Sequence, residues 1–258
     1  MKVEKIKKLK NGKYKIELDD DYKITTYDDV ILKHNLLFNK EIDNDELNEM
    51  IKDNKYYDIY NKCIKYISKK LRSEKEIKEY LNKFEIEENT KNKIIKDLKN
   101  INMINDYNFM KAYISDRIYL SDDGLDKIKT DLISHNIDIS LINDELDKID
   151  KSIIKEKLTK LIIKKVKSNH KNSSYMIRQK IYHDMINLGY SSEMFNECYD
   201  LLDVDDNDNL KKEFNKLYKR LSTKEINDNL YLKIRQKLYQ KGYNLSDIDK
   251  LIQEKRDY

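Results

Sequence analysis

The sequence predicts a mainly α-helical protein, built of tandem three-helix repeats in an elongated array and preceded by a small N-terminal α+β domain. Proline is absent from the 258 residues and glycine occurs only four times, which disfavours turn-rich sandwiches and barrels. Alternating apolar residues are confined to the N-terminal segment, and a helical apolar spacing recurs four times in the rest. One unit of roughly fifty residues buries little surface alone, so neighbouring units are expected to stack.

Composition narrows the setting of the protein. Charged and hydrophobic residues each make up 39% of the chain, and the net charge is +4. The sequence holds no run of about 18 apolar residues, and its N-terminus lacks the apolar core of a signal peptide. Cys63 and Cys198 are too few for a disulfide framework or a metal knuckle, so both are expected to be structural thiols. These features indicate a reduced, cytoplasmic protein without a membrane segment.

The N-terminal segment has the pattern of a small antiparallel sheet. We predict a first strand over residues 3–9, a hairpin turn at Asn11-Gly12 and a second strand over residues 14–18. A turn over residues 19–21 leads into a third strand that begins at Tyr22. Such a sheet has one apolar face, and a hairpin alone is only marginally stable, so other elements must cover that face.

Two predicted helices supply this cover, over residues 28–34 and 45–53. Asp43 and Glu46 have the spacing of a capping box at the start of the second helix. From Tyr56 onward the apolar pattern is helical and repetitive.

Each repeat contains three apolar anchors, the second four residues after the first and the third five residues later. The first anchors are separated by 51, 53 and 53 residues. In the last two repeats the turn before the third anchor is Gly189-Tyr190 or Gly242-Tyr243, and glycine suits the left-handed residue just past a helix end. The four anchor sets are Ile77, Leu81 and Ile86; Ile128, Leu132 and Ile137; Ile181, Met185 and Tyr190; and Ile234, Leu238 and Tyr243.

An amphipathic helix precedes each anchor set and a short helix follows it, which predicts five segments. Residues 1–53 form the sheet domain, and residues 54–103, 104–150, 151–206 and 207–258 form three-helix modules 1 to 4. The net charges of the five segments, in the same order, are −2, +5, −6, +2 and +5. This uneven pattern suits a surface that meets a patterned macromolecule better than it suits a dedicated nucleic-acid binder.

Three stretches resemble the RecX family, bacterial regulators of RecA. Residues 71–77 read L-R-S-E-K-E-I, similar to the family signature L-R-S-E-x-E-I/L, and Ser73 and Glu76 also have capping-box spacing. The segment 1–53 resembles the N-terminal extension of longer RecX proteins from low-GC Gram-positive bacteria. The residues that match the later family motifs are Ile104, Asn105, Asp106, Phe109, Ala112, Tyr113, Arg117, Gly124, Ile128, Leu132 and Ile137.

The chain departs from the family pattern at two places. Family members are often basic around Gly124, whereas this chain has Ser121-Asp122-Asp123, which removes positive charge from module 2. Asn136 replaces the usual glycine before Ile137, and asparagine tolerates a left-handed conformation.

The resemblance implies a non-catalytic regulator without cofactors. Family members bind along the groove of the RecA–DNA filament, bridge adjacent subunits, and inhibit ATP hydrolysis, strand exchange and coprotease activity. The implied partner is the RecA filament, with weak binding to single- or double-stranded DNA as a further possibility, no membrane partner, and a monomeric protein.

The residues themselves contain no enzyme constellation, since the phosphate-loop, H-E-x-x-H and G-x-S-x-G motifs are all missing. The histidines share no metal spacing and are expected to be surface or partly packed residues. The acidic pairs Asp122-Asp123 and Asp205-Asp206 are expected to be solvated loops. The four histidines are His34, His135, His170 and His183.

Basic residues recur near the end of the first helix of every module. They can complement the helix dipole, or they can form a ladder of cations that contacts an acidic filament surface or phosphate. Two other functions stay open: a DNA-binding protein built of helix-turn-helix-like units, and a helical protein-interaction scaffold. The candidate residues for contact with RecA or DNA are Lys69, Lys70, Arg72, Arg117, Lys164, Lys165, Lys167, Arg178, Lys219, Arg220, Arg235 and Lys237.

Overall fold

The computed structural model describes residues 1–19, 22–36, 40–169, 172–202, 207–222 and 228–256. These residues form thirteen helices and, near the N-terminus, a sheet of three strands, which confirms the mainly helical fold class. Across this described part of the chain, every helix falls short of the length or the hydropathy that crossing a bilayer requires. The chain divides into two compact units, Met1–Phe109 and Met110–Tyr258, and the predicted division into five segments stays a prediction.

The N-terminal sheet is antiparallel with the order β1-β2-β3. Its strands are β1 (Val3–Lys8), β2 (Tyr14–Leu18) and β3 (Lys23–Thr26). Gly12 has a φ of +84°, so the hairpin turn predicted at Asn11-Gly12 is confirmed. Asp20 and Asp21 of the second predicted turn lie outside the described residues.

One long helix stands where the sequence predicts two. Helix α1 (Asp28–Lys33) agrees with the prediction, but α2 (Asn44–Ile67) continues for 24 residues through the predicted boundary between residues 53 and 54. No proline or glycine interrupts this stretch, and the Asp43 carboxylate caps its start by accepting a hydrogen bond from the Glu46 backbone N at 2.8 Å.

The two halves of α2 serve two different cores. Leu47 and Met50 in its first half pack against the apolar face of the sheet, while Ile59 and Cys63 in its second half belong to the core of module 1. The residues of the sheet core are Val3, Ile16, Leu18, Ile24, Val30, Leu36, Ile42, Leu47 and Met50.

The helices from α2 onward follow in groups of three. Within modules 1 and 3 all three helices contact one another, and in module 4 the central helix contacts the other two. The remaining helices are α3 (Glu74–Leu81), α4 (Glu88–Asn100), α5 (Asp106–Leu120), α6 (Leu125–Ser134), α7 (Ile139–Leu146), α8 (Lys151–Ser168), α9 (Ser174–Asn187), α10 (Ser192–Asp200), α11 (Asn207–Leu221), α12 (Asp228–Gln240) and α13 (Leu245–Arg256).

The recurring anchors lie at the cores of these groups. Eleven of the twelve predicted anchors are buried, and Ile86 is half-buried. The turns that follow the second helices of modules 2, 3 and 4 place Asn136, Gly189 and Gly242 at positive φ, of +62°, +84° and +84° respectively. The left-handed turn predicted for Gly189 and Gly242 is therefore confirmed, and Asn136 adopts the same conformation.

Candidate partner-contact surface

The predicted cations do recur at the ends of first helices. Arg117 lies in the last turn of α5, Lys165 and Lys167 lie in the last turn of α8, and Lys219 and Arg220 lie in the last turn of α11. In module 1, Lys69 and Lys70 come just after the end of α2. Positive charge near a helix C-terminus is favoured by the helix dipole, so the position alone does not require a partner.

Four of the lysines present their charge to solvent. Lys69, Lys164, Lys167 and Lys219 are exposed, and none of them forms an ion pair with the residues that the structure describes. Lys70 is similar, since its side chain is 63% exposed and its Nζ lies 3.8 Å from Glu76 Oε1. These lysines are the candidates that remain accessible to an acidic partner.

Arg72 is not accessible in this way, contrary to the expectation for a contact residue. Its side chain is only 13% exposed, and Nη1 donates to Glu76 Oε1 at 2.8 Å. Its guanidinium lies 4.0 Å from the centre of the Tyr66 ring, which stacks on Tyr80 at 4.2 Å. A guanidinium that is stacked and ion-paired stabilises the start of α3 and has little left for a partner.

The motif at residues 71–77 therefore builds a helix start. The Glu76 backbone N donates to Ser73 Oγ at 3.2 Å, and the Ser73 backbone N donates to Glu76 Oε2 at 3.1 Å, so the capping box is confirmed. Asp106 from the second motif joins it, because its Oδ1 accepts a hydrogen bond from the Glu74 backbone N at 2.8 Å. The two motifs that carry the family resemblance thus meet at one helix N-terminus.

Arg117 is partly neutralised by its own module. Its Nη1 lies 3.2 Å from Asp123 Oδ2, and the guanidinium stands 4.8 Å from the centre of the Tyr113 ring. The Asp123 side chain is 7% exposed and also binds Lys127 Nζ at 2.7 Å. The expectation of a solvated acidic loop is therefore wrong for Asp123, because two cations from flanking helices stabilise a carboxylate there. The other acidic pair, Asp205-Asp206, lies outside the described residues.

The pKa of Asp123 reflects this environment. Burial alone would raise the pKa, but the hydrogen bonds from Lys127 and Ser121 and the nearby charge of Arg117 outweigh it, so the pKa lies below its usual value. Asp123 is consequently a charged residue of the protein interior.

A buried lysine, which sequence reasoning did not single out, completes this network. Lys157 of α8 donates from Nζ to the backbone oxygens of Arg117 at 3.0 Å and Asp123 at 2.8 Å. Burial lowers the pKa of Lys157 below its usual value. Its only signal in the sequence is a charge on a helix face otherwise lined by apolar residues, next to Leu158.

Modules 2 and 3 meet through backbone atoms. The Gly124 backbone N, at the N-cap of α6, donates to Leu188 O at 2.6 Å, and the Asp126 backbone N donates to Gly189 O at 3.1 Å. A Cβ atom on Gly124 would lie 2.3 Å from Gly189 O, and one on Gly189 would lie 2.3 Å from the Lys127 backbone N. We call this contact the backbone junction.

Modules 3 and 4 meet in the same arrangement with different atoms. Ser173, the N-cap of α9, is fully buried, and its backbone N donates to Lys241 O at 3.2 Å. A Cβ atom on Gly242 would lie 2.5 Å from Met176 Cγ and 2.6 Å from Ser173 Oγ. We call this contact the side-chain junction. In both, the turn after one second helix packs on the start of the preceding second helix.

The remaining candidates are engaged within their own modules to different degrees. Lys165 binds Asp184 Oδ2 at 2.5 Å, and Arg178 binds Asp200 Oδ1 at 3.0 Å. Arg235 makes two bonds to Asp249, at 2.6 and 3.0 Å. Arg220 and Lys237 line a cavity between α11 and α12.

The histidines and cysteines point to structure. His34 is buried, with its Nε2 2.6 Å from Asp53 Oδ2, and His170 lies outside the described residues. Both cysteines are free and buried, and burial raises the pKa of the Cys63 thiol to about 11. Within the ranges that the structure describes, no group of three His, Cys, Asp or Glu residues could hold a metal ion.

Comparison with known proteins shows the family. The chain is 30% identical over 263 aligned residues to a protein named Regulatory protein RecX from Streptococcus gordonii strain Challis, and the match covers 100% of both chains. The chain belongs to the RecX family. Another RecX relative, from Listeria innocua serovar 6a, is 30% identical, covering 98% of this chain and 97% of the relative. The family model for RecX, first three-helix domain, matches residues 60–98, which lie within module 1.

Solved RecX structures share the fold. A crystal structure of regulatory protein RecX aligns with a TM-score of 0.66 and 24% identity, covering 77% of this chain and 98% of that chain. The crystal structure of RecX from Lactobacillus salivarius aligns with a TM-score of 0.51 and 26% identity, covering 56% of this chain and 94% of that one.

Proposed function

We propose that this chain is a non-catalytic regulator of RecA that binds along the groove of the RecA–DNA filament. By bridging adjacent RecA subunits it inhibits ATP hydrolysis, strand exchange and the coprotease activity. It acts as a cytoplasmic monomer, and DNA alone is a weak partner. Membership of the RecX family, whose relatives are named regulatory proteins, supports the proposal.

The observation that carries the proposal is the repeated junction in the second unit. Hydrogen bonds between backbone atoms connect modules 2, 3 and 4, so the modules are held in a fixed relation to one another. A filament offers identical sites at fixed spacing, and linked sites that match such a spacing bind with a high effective concentration. A pre-organised array also avoids the entropic cost of ordering its parts on binding.

Exposed lysines supply the charge for this contact. Lys69, Lys164, Lys167 and Lys219 stand at the same place in three modules and are not neutralised by described residues. Complementary charge at an interface increases the association rate and selects the partner. The arginines contribute less, because Arg72, Arg178 and Arg235 are ion-paired within the chain.

The test is inhibition of DNA-dependent ATP hydrolysis by RecA. We expect the protein to inhibit the reaction, and we expect a variant with Lys69, Lys164, Lys167 and Lys219 all changed to Glu to require an at least tenfold higher concentration. A tenfold change corresponds to about 1.4 kcal/mol, which four reversed surface charges can supply.

A matched control separates the contact from the general charge. Four other exposed lysines, changed to Glu in a second variant, give the same net charge away from the ends of first helices, and this variant should inhibit like the wild type. Equal loss in both variants would show that only net charge matters, and failure of the wild type to inhibit or to co-sediment with RecA filaments would refute the proposed function. The control lysines are Lys96, Lys180, Lys211 and Lys250.

A further inference from the structure

A positively charged cavity lies between the first two helices of module 4. Its volume is about 220 Å³, and the facing sides of α11 and α12 line it. Its charged lining residues are Glu213, Lys216, Arg220, Lys237 and Lys241. The lining thus carries four cations and one carboxylate.

The spacing of these cations is unfavourable in the free protein. Lys216 and Arg220 lie four residues apart on α11, and Lys237 and Lys241 lie four residues apart on α12. Side chains at this spacing are neighbours on a helix surface, and like charges there repel one another. Each helix therefore presents a repulsive pair to the same cavity.

One carboxylate cannot balance this charge. The Glu213 side chain is 6% exposed, forms an ion pair with Lys241, and lies 3.6 Å from Lys216 Nζ. With Glu213 engaged by these two lysines, the charges of Arg220 and Lys237 remain in excess in the cavity lining. The lining has a net charge of +3.

The equivalent place in the neighbouring modules is balanced. Lys237 lies three residues after the first anchor of module 4, and Asp131 and Asp184 occupy that position in modules 2 and 3. Asp131 accepts a hydrogen bond from Tyr113 at 2.8 Å, and Asp184 pairs with Lys165. Module 4 thus carries a cation where modules 2 and 3 carry an anion.

We propose that this cavity binds a phosphate group. A phosphate has several acceptor oxygens and full negative charge, so it can accept hydrogen bonds from Lys237, Arg220 and Lys216 together, and it relieves both repulsive pairs. The group belongs either to a nucleic-acid strand or to free phosphate or a phosphate ester. This inference does not depend on the contact with RecA.

The experiment uses the full chain without RecA and changes Lys237 to Asp, the residue of modules 2 and 3. Inorganic phosphate should raise the melting temperature of the wild type above that in chloride of equal ionic strength, because a ligand that binds the folded state stabilises it. This shift should vanish in Lys237→Asp and persist in Lys250→Asp, which makes the same charge change at an exposed position of α13. Lys237→Gln should also lose the shift and guards against a folding defect of the first variant.

A second measurement identifies the source of the phosphate. A labelled single-stranded oligonucleotide is titrated by fluorescence anisotropy at several salt concentrations. If a nucleic-acid strand supplies the group, Lys237→Asp weakens binding and reduces the slope of log affinity against log salt by about one, while Lys250→Asp does not. If free phosphate or a phosphate ester is the ligand, the oligonucleotide affinity is equal in both variants although the melting shift still depends on Lys237.

Two results would overturn the proposal. Equal melting shifts in the wild type and in all three variants would mean that phosphate acts elsewhere or only through ionic strength. A glutamate-rich peptide that stabilises the wild type through Lys237, in the absence of any phosphate effect, would assign the cavity to an acidic protein partner. Neither result would bear on inhibition of RecA, which is measured separately.

Discussion

The backbone junction and the side-chain junction make the same contact with different materials. At the first, Gly124 and Gly189 bring two main chains together with no room for a Cβ atom. At the second, Gly242 packs against Met176 and Ser173, whose side chains provide the nearest atoms. Main chain held in helices and turns cannot move aside, whereas a methionine can change rotamer. One arrangement can therefore be rigid at one module boundary and adaptable at the next.

The two junctions also differ in how charge is handled around them. Next to the backbone junction, Lys157 donates to two main-chain oxygens and Tyr190 donates from its hydroxyl to Asp122 O at 3.1 Å. Next to the side-chain junction, Lys241 and three other cations share the single carboxylate Glu213. The first boundary is internally satisfied, and the second retains charge for a ligand.

Alanine at the two turn glycines should give the largest difference between the junctions. Gly189→Ala places a Cβ atom 2.3 Å from the Lys127 backbone N in a left-handed residue, so we expect a loss of about 3 kcal/mol or more in unfolding free energy. Gly242→Ala has the same left-handed strain but meets side chains, so we expect about 1–2 kcal/mol. Urea unfolding followed by circular dichroism measures both.

The difference between those two values is the informative quantity. Gly12→Ala in the N-terminal hairpin is a control, because Gly12 has a φ of +84° and no atom within 4 Å of an added Cβ. It should resemble Gly242→Ala. Equal losses at Gly189 and Gly242 would contradict the distinction between rigid and adaptable junctions.

Asp123→Asn tests the charge network beside the backbone junction. The side chain is 7% exposed and binds two cations, so we expect a loss of about 1–2 kcal/mol at pH 7. The pKa of Asp123 is lowered in the folded protein, so its contribution is present above the pKa of the unfolded chain and is lost as the pH falls through the folded value. The wild type should therefore lose more stability on acidification below about pH 4 than the variant does.

Unfolding curves at a series of acidic pH values measure this difference. Asp122→Asn is the matched control, because Asp122 is exposed and contributes to the junction through its backbone oxygen. A parallel pH dependence in the wild type and in Asp123→Asn would show that the carboxylate is not held in its charged form by Arg117 and Lys127.

Apolar periodicity predicts most of the fold, since it reports local geometry. The anchors, the turns at Gly189 and Gly242 and the cap at Ser73 all depend on residues within one or two helical turns of each other. The continuity of α2 was missed because its apolar face changes partner, from the sheet at Met50 to module 1 at Ile59, and this change resembles a break between helices.

The contact surface was predicted less well because charge depends on distant partners. Arg72 resembles an exposed cation until Tyr66 and Glu76 enclose it, and Asp123 resembles a loop residue until Arg117 and Lys127 reach it. Lys157 binds oxygens 34 and 40 residues earlier in the chain, which no local pattern indicates. The fate of a charged side chain is a tertiary property, and motif spacing alone does not reveal it.

The smallest expected effect is at Asn136, and it completes the comparison by separating two costs that Gly189→Ala combines. Asn136 has a φ of +62° at the same point of the repeat and is exposed, so its substitution involves backbone strain without burial. Asn136→Ala should cost about 1 kcal/mol, because alanine lacks the side-chain amide with which asparagine tolerates this region. Asn136→Gly should change stability by about 0.5 kcal/mol or less, since it removes the strain but adds chain entropy to the unfolded state. Asn187→Ala, at an exposed position in α9, controls for loss of the amide in a helical backbone. Subtracting the Asn136→Ala loss from the Gly189→Ala loss then leaves the collision with Lys127. If Asn136→Ala and Asn187→Ala have equal effects, left-handed strain is negligible in these turns, and the whole loss at Gly189 belongs to the collision.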